Sequence, residues 1–78
     1  MEYTKENLEK IIRDIAPDLI GAYARNFREV ELQESVKTFT KKTDLTEATI
    51  YNFENGRNVS YPTFYEYVKR GFLRYIFG

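Results

Sequence analysis

Hydrophobic positions along the chain recur at helical spacing, and nowhere do they alternate at period two. Leu8, Ile11, Ile12 and Ile15 fall at i, i+3, i+4 and i+7, behind Thr4 as an N-cap with Glu6 in the first turn, so a helix is expected over 4–16. Pro17 disfavours helical geometry at Ala16 and ends or kinks it. Core packing is the favoured role of this stripe, and a dimer seam the alternative. A second helix starts at Pro17 or Asp18, with Ile20, Tyr23, Ala24 and Phe27 expected to be buried and Arg25, Arg28 and Glu29 on its flanks. Val30–Glu34 reads either as a last turn or as a loop. Ser35 then caps a short helix reaching about Thr43, with Val36, Phe39 and Thr40 inward. Asp44-Leu45-Thr46 makes a turn, and Thr46 caps the next helix, which carries Glu47 in its first turn. Ala48 or Thr49, together with Ile50 and Phe53, faces the core, and Asn55-Gly56 closes the helix. Pro62 fits the first turn of a single C-terminal helix over 62–77, with Phe64, Val68, Phe72 and Tyr75 as its inner stripe. Tyr65, Tyr67, Leu73, Ile76 and Phe77 are surplus, so the end of the chain is apolar nearly all round. The expected fold is all-α, a five-helix bundle in one domain over 1–78.

Composition narrows the chemistry. The 78 residues contain no cysteine and no histidine, so neither a disulfide nor a zinc site of the usual ligands can be built, and no metal or cofactor is expected. Five of the seven Tyr and four of the six Phe follow residue 50, which places much of the core's bulk in the C-terminal third. Net charge is zero, distributed as −2 over residues 1–32, zero over 33–60 and +2 over 61–78. A DNA-binding domain is more often basic, so this balance counts against nucleic acid without excluding it. No apolar run approaches membrane-spanning length and no signal peptide is seen, so a cytoplasmic protein is the default expectation. The glycines are isolated and no nucleophile–base pair is visible; an enzyme is not expected and no catalytic residue is assigned.

The stretch Ser35–Gly56 resembles the Cro/phage-repressor (XRE-like) type of helix-turn-helix, whose pattern runs roughly S-x-x-x-L-A-x-x-x-G-ψ-S-x-x-x-I-x-x-x-E-x-G, where ψ is apolar. Ser35 stands for the opening serine, Phe39 for the leucine, Leu45 for the apolar turn residue, Thr46 for the cap and Ile50 for the isoleucine. Glu54-Asn55-Gly56 matches the closing residues. Ala24-Arg25-Asn26-Phe27-Arg28-Glu29 is similar to the family's first helix, and Pro62-Thr63-Phe64 with Val68 and Phe72 to its fourth, so the likeness covers about 20–72 and leaves an extra N-terminal helix outside it. Asp44 replaces the turn glycine, Thr40 the alanine and Thr43 the apolar residue before the turn. An alternative alignment to the TetR type uses Ile50-Tyr51-Asn52-Phe53 but lacks the K-E-x-L that should follow.

The resemblance implies a sequence-specific, double-stranded-DNA-binding transcriptional regulator, phage- or mobile-element-like and homodimeric, that lays helix 46–55 in the major groove. Glu47, Ala48, Thr49, Tyr51 and Asn52 would meet base edges, with Asn52 suited to adenine and Glu47 to the cytosine amino group. Ser35, Val36 (through its backbone N–H), Lys37, Lys41, Lys42, Thr46, Asn55, Arg57 and Asn58 would contact phosphates. Lys41 and Lys42 equally suit a helix C-terminus, Asn55 equally suits a cap, and Glu47 suits a first turn as well as a base. The resemblance also implies an ion pair between Arg28 and Glu54, structural rather than catalytic. The zero net charge, Asp44 and Glu47 beside the reading face, and the apolar 73–77 end favour the alternative: the same fold turned to gripping a protein partner, as an antirepressor does.

Overall fold

The computed structural model describes residues 4–57 and 59–78, and within them the chain is helical, with no strand. Helix α1 spans Lys5–Asp14 and α2 spans Pro17–Asn26, which runs on into a wider π turn over Phe27–Glu31. Helices α3 (Val36–Lys42), α4 (Glu47–Glu54), α5 (Tyr61–Val68) and α6 (Phe72–Phe77) follow. Three helix starts are fixed by hydroxyl caps, because a side-chain oxygen there takes a backbone N–H that the helix cannot satisfy. Thr4 accepts from Asn7 N at 3.2 Å, Ser35 from Thr38 N at 3.1 Å and Thr46 from Thr49 N at 3.1 Å. Pro17 opens α2 and Pro62 sits in the first turn of α5, where neither costs a hydrogen bond.

The core joins every helix. Leu8, Ile20, Ala24, Phe27, Phe39, Ile50, Phe53, Phe64, Tyr67, Val68, Phe72 and Leu73 are buried together, and Ile11, Ile12 and Ile15 complete the inner stripe of α1 against them. Tyr67 lies at the centre, its ring 4.9 Å from Phe39 and 5.0 Å from Phe53, while Phe72 bridges Phe27 at 5.3 Å and Phe64 at 5.9 Å. Such stacked, tilted and edge-on contacts add to the area each ring buries.

Three expectations are corrected. The C-terminal segment is two helices, so the described residues form six α-helices rather than five. Gly71 takes a left-handed φ of 102°, which only glycine adopts cheaply, and the chain turns there. That bend brings the consecutive residues Phe72 and Leu73 both into the core. Tyr23 is not part of the buried stripe of α2: it is 42% exposed, because α4 crosses α2 at Gly21 and rotates the buried sector away from it. Of the alternatives Ala48 and Thr49 for an inward contact, Thr49 is half-buried and Ala48 points outward. Finally, Asp44 does not take the left-handed geometry of a turn glycine, the only non-glycine residue with positive φ among those described being Gln33 (φ 54°). The α3–α4 connector is instead braced by Thr43, whose hydroxyl donates to Phe39 O at 2.9 Å and accepts from Leu45 N at 3.2 Å.

Candidate functional site

Helix α4 is pinned from behind. Ile50 and Phe53 sink into the core, and Glu54 is buried beside them. Arg28 Nε donates to Glu54 Oε2 at 2.8 Å and Arg28 Nη2 to Oε1 at 2.9 Å, a two-pronged pair of the kind guanidinium geometry favours. The third arm of Arg28 donates to the Glu34 carbonyl at 2.8 Å, so one side chain ties the π turn both to α4 and to the segment entering α3. The hydrogen bond to Glu54 holds the guanidinium charged and raises its pKa, against the opposing effect of burial. Tyr67 of α5 donates to the same Glu54 Oε2 at 2.8 Å. Its role was not visible in the sequence, where it reads as one more aromatic residue in an apolar stretch; its spacing from Phe64 places it on the inner face but does not announce the hydroxyl contact.

Burial raises the Tyr67 phenol above its ordinary value near 10, and the Glu54 charge and hydrogen bond push the same way. Above about pH 10 the unfolded chain therefore gives up a proton that the folded chain keeps, and stability falls as pH rises; below that it is unaffected. Tyr67→Phe is expected to cost about 1.5–3 kcal/mol at neutral pH by removing a bond to a charged group, and to flatten the alkaline fall. Urea unfolding at neutral and alkaline pH checks both; an alkaline limb of unchanged slope would assign it to other groups.

In front, α4 turns Glu47, Ala48 and Tyr51 to solvent, Tyr51 being 51% exposed. Thr49 and Asn52 sit half-buried at the edges of this face, with Thr49 Oγ1 held 2.9 Å from Thr46 Oγ1. A cleft of about 440 Å³ separates α4 from α2 and the start of α3, and it brings together Ser35, Val36, Lys37, Glu47, Tyr51 and Asn55. It also gathers Arg25 and Glu29, flank positions by helical spacing, which pair with each other at 3.5 Å. Asn55 is occupied as a cap, its Nδ2 donating to Tyr51 O at 2.7 Å.

The cations around this face differ in what they are free to do. Lys42 is paired with Glu34, and its carbonyl accepts from Arg70 Nη2 at 2.9 Å. Lys37, Lys41 and Arg57 are exposed and make no ion pair among the described residues. Lys41, Lys42, Thr46, Ala48, Thr49, Asn52 and Arg57 do not line the cleft, and Asn58 lies outside the described residues. Among the described residues no cluster of acidic side chains is arranged to hold a metal ion, and no helix is long and apolar enough to cross a membrane. No protein-family model, no curated protein and no solved structure matches this chain.

Proposed function

We propose that this protein is a Cro/repressor-like helix-turn-helix regulator that binds double-stranded DNA sequence-specifically as a homodimer. The observation that carries the reading is the two-sidedness of α4: Ile50, Phe53 and Glu54 anchor one side, while Glu47, Ala48 and Tyr51 project from the other, with Lys37, Lys41 and Arg57, which have no ion pair among the described residues, nearby. A rigid helix with a polar, solvent-facing first turn is what base-edge reading in a major groove requires, and cations free of carboxylates are what phosphate neutralisation requires. Glu47 and Asn52 supply the hydrogen-bonding groups for bases, and Tyr51 a ring able to pack on a thymine methyl.

Fluorescence anisotropy with labelled random-sequence duplexes at low salt tests this. Binding should weaken linearly on a log–log plot against salt, and Lys37→Ala or Arg57→Ala should each flatten that slope by roughly 0.9. Absence of binding at micromolar protein and low ionic strength rules the reading out.

A second reading rests on the acids in the same place. Glu29 and Glu47 line the cleft together with the half-exposed Tyr51 ring, a mixture better matched to a protein surface than to phosphates. Under this reading the fold grips a protein partner, and capture of that partner survives Asn52→Ala and Arg57→Ala.

A further inference from the structure

We infer that Arg70 is a positioning residue for α4: from the turn between α5 and α6 it holds the end of α3, and through α3 it sets the attitude of the first turn of α4. This rests on the reading of α4 given above and adds to it a residue outside Ser35–Gly56.

The polar and backbone anchors of α4 act at its C-terminal end. Gly21 meets the carbonyls of Phe53 and Glu54, and Arg28 and Tyr67 hold the Glu54 carboxylate. Ile50 is the earliest buried residue of the helix; Thr46, Glu47 and Ala48 before it are exposed and Thr49 is half-buried. The end from which bases would be read is therefore the end with least support of its own. Its position is inherited from the connector at Thr43–Leu45 and from α3 before that. Helix α3 cannot supply it alone, because an isolated helix shorter than about 12–15 residues is marginal in water. It has seven residues, and Phe39 is the buried one.

Arg70 supplies what α3 lacks. Its Nη2 donates at 2.9 Å to Lys42 O, the last carbonyl of α3, where a cation also suits the helix dipole. Its guanidinium lies over the Phe39 ring, 5.4 Å from the centroid, so one side chain meets α3 both at its end and at its buried residue. The guanidinium is aimed from α5: Nη1 donates to Glu66 O at 2.6 Å and to Glu66 Oε1 at 3.2 Å. The turn that carries it is fixed as well, Arg70 N–H donating to Tyr67 O and Gly71 N–H to Val68 O, each at 3.0 Å. At the other end of α3, Arg28 Nη1 donates to Glu34 O at 2.8 Å, and the Lys42 ammonium reaches back to the Glu34 carboxylate. Two arginines from outside the motif thus hold the entry and the exit of α3. Without Arg70 the exit keeps the Thr43 hydroxyl bond to Phe39 O, which lies inside the segment that would move. Base reading tolerates displacements of only about 0.5 Å, so a small rocking of α3 costs discrimination between bases. Phosphate contacts through long, flexible lysines tolerate more.

Hydrogen exchange of the full chain without DNA, followed by NMR, tests the positioning. The amides of Leu45, Thr49 and Ile50 close the connector and the first turn of α4. Arg70→Ala should speed their exchange by about tenfold more than that of the α2 amides, the mark of local opening. Arg70→Lys should fall between, since one ammonium lacks the fork that serves Lys42 and Glu66 together. Lys69→Ala should exchange like the wild type, because Lys69 pairs with the same Glu66 but packs over Tyr65 instead of α3. With DNA, Arg70→Ala should lose about tenfold of the preference for a duplex that the wild type selects from a random pool, with an unchanged salt slope. A rise in exchange spread evenly over all helices, or none at the three amides, would reduce Arg70 to general stability and overturn the assignment. So would a salt slope flattened by roughly 0.9, which would make Arg70 a phosphate contact. Should the wild type select no duplex, it is the DNA reading that fails, and the exchange pattern still decides for or against Arg70.

Discussion

Replacing Glu54 with alanine is expected to cost about 3–5 kcal/mol, because it leaves a buried guanidinium with only the half-exposed Glu29 carboxylate, 4.0 Å away, as counter-charge. Arg28 and Glu54 side chains are 5% and 3% exposed, so salt screens the pair little. In Glu54→Ala the Tyr67 hydroxyl is orphaned as well, whereas in Arg28→Ala it remains to Glu54 as a neutral donor. Total stability for a chain of this length is about 4–12 kcal/mol, so either change takes a large fraction of it. Urea unfolding followed by circular dichroism measures both. The double variant Arg28→Ala/Glu54→Ala should lose clearly less than the sum of the single losses, since each single change strands a charge that the double change removes. Strictly additive losses would mean that the two groups stabilise the fold independently. Loss of stability rather than a selective loss of binding is the expected signature, because the Glu54 side chain is only 3% exposed and is engaged by Arg28 and Tyr67.

The helix starts were legible because capping is local: Thr4, Ser35 and Thr46 each need only an N–H three residues ahead, and the sequence places them before apolar periodicity. The Arg28–Glu54 pair, 26 positions apart, came from the resemblance and not from spacing. Features fixed by neighbours distant in sequence were not legible. Tyr23 satisfies the spacing of a buried stripe as well as Ala24 does, and only the crossing of α4 at Gly21 decides between them. The division at Gly71 is a backbone choice that the apolar stripe Phe64, Val68, Phe72 and Tyr75, continuous at helical spacing across it, conceals. In the connector, the role expected of the residue at Asp44 is met by the Thr43 hydroxyl, a hydrogen-bonding solution that pattern matching to a glycine cannot register. The same limit holds at the candidate site: Glu47 and Tyr51 were readable as outward positions of α4, but Arg25 and Glu29 reach the cleft only through the packing of α2 on α4.

Gly21→Ala should destabilise the protein by about 2 kcal/mol or more, against the direction that helix propensity gives. In an open helix the change would stabilise by up to about 1 kcal/mol, since alanine loses less backbone freedom on folding. Here the added Cβ would lie 2.6 Å from the carbonyl oxygens of both Phe53 and Glu54 and 2.8 Å from the Glu54 carbonyl carbon. These are backbone atoms at the end of α4, so no rotamer change relieves the overlap and the two helices must move apart, a strain of the overpacking kind. The movement also draws Glu54 away from Arg28, so the loss should exceed the steric cost alone. Thermal unfolding would show a fall of roughly 4–8 °C for each kcal/mol. Ala22→Gly, next door on the exposed face, isolates propensity and should lose about 1 kcal/mol. If Gly21→Ala instead raised the melting temperature, α4 could not lie against α2 as closely as its two carbonyls require, and the support behind the candidate reading face would have to come from α3 and α5.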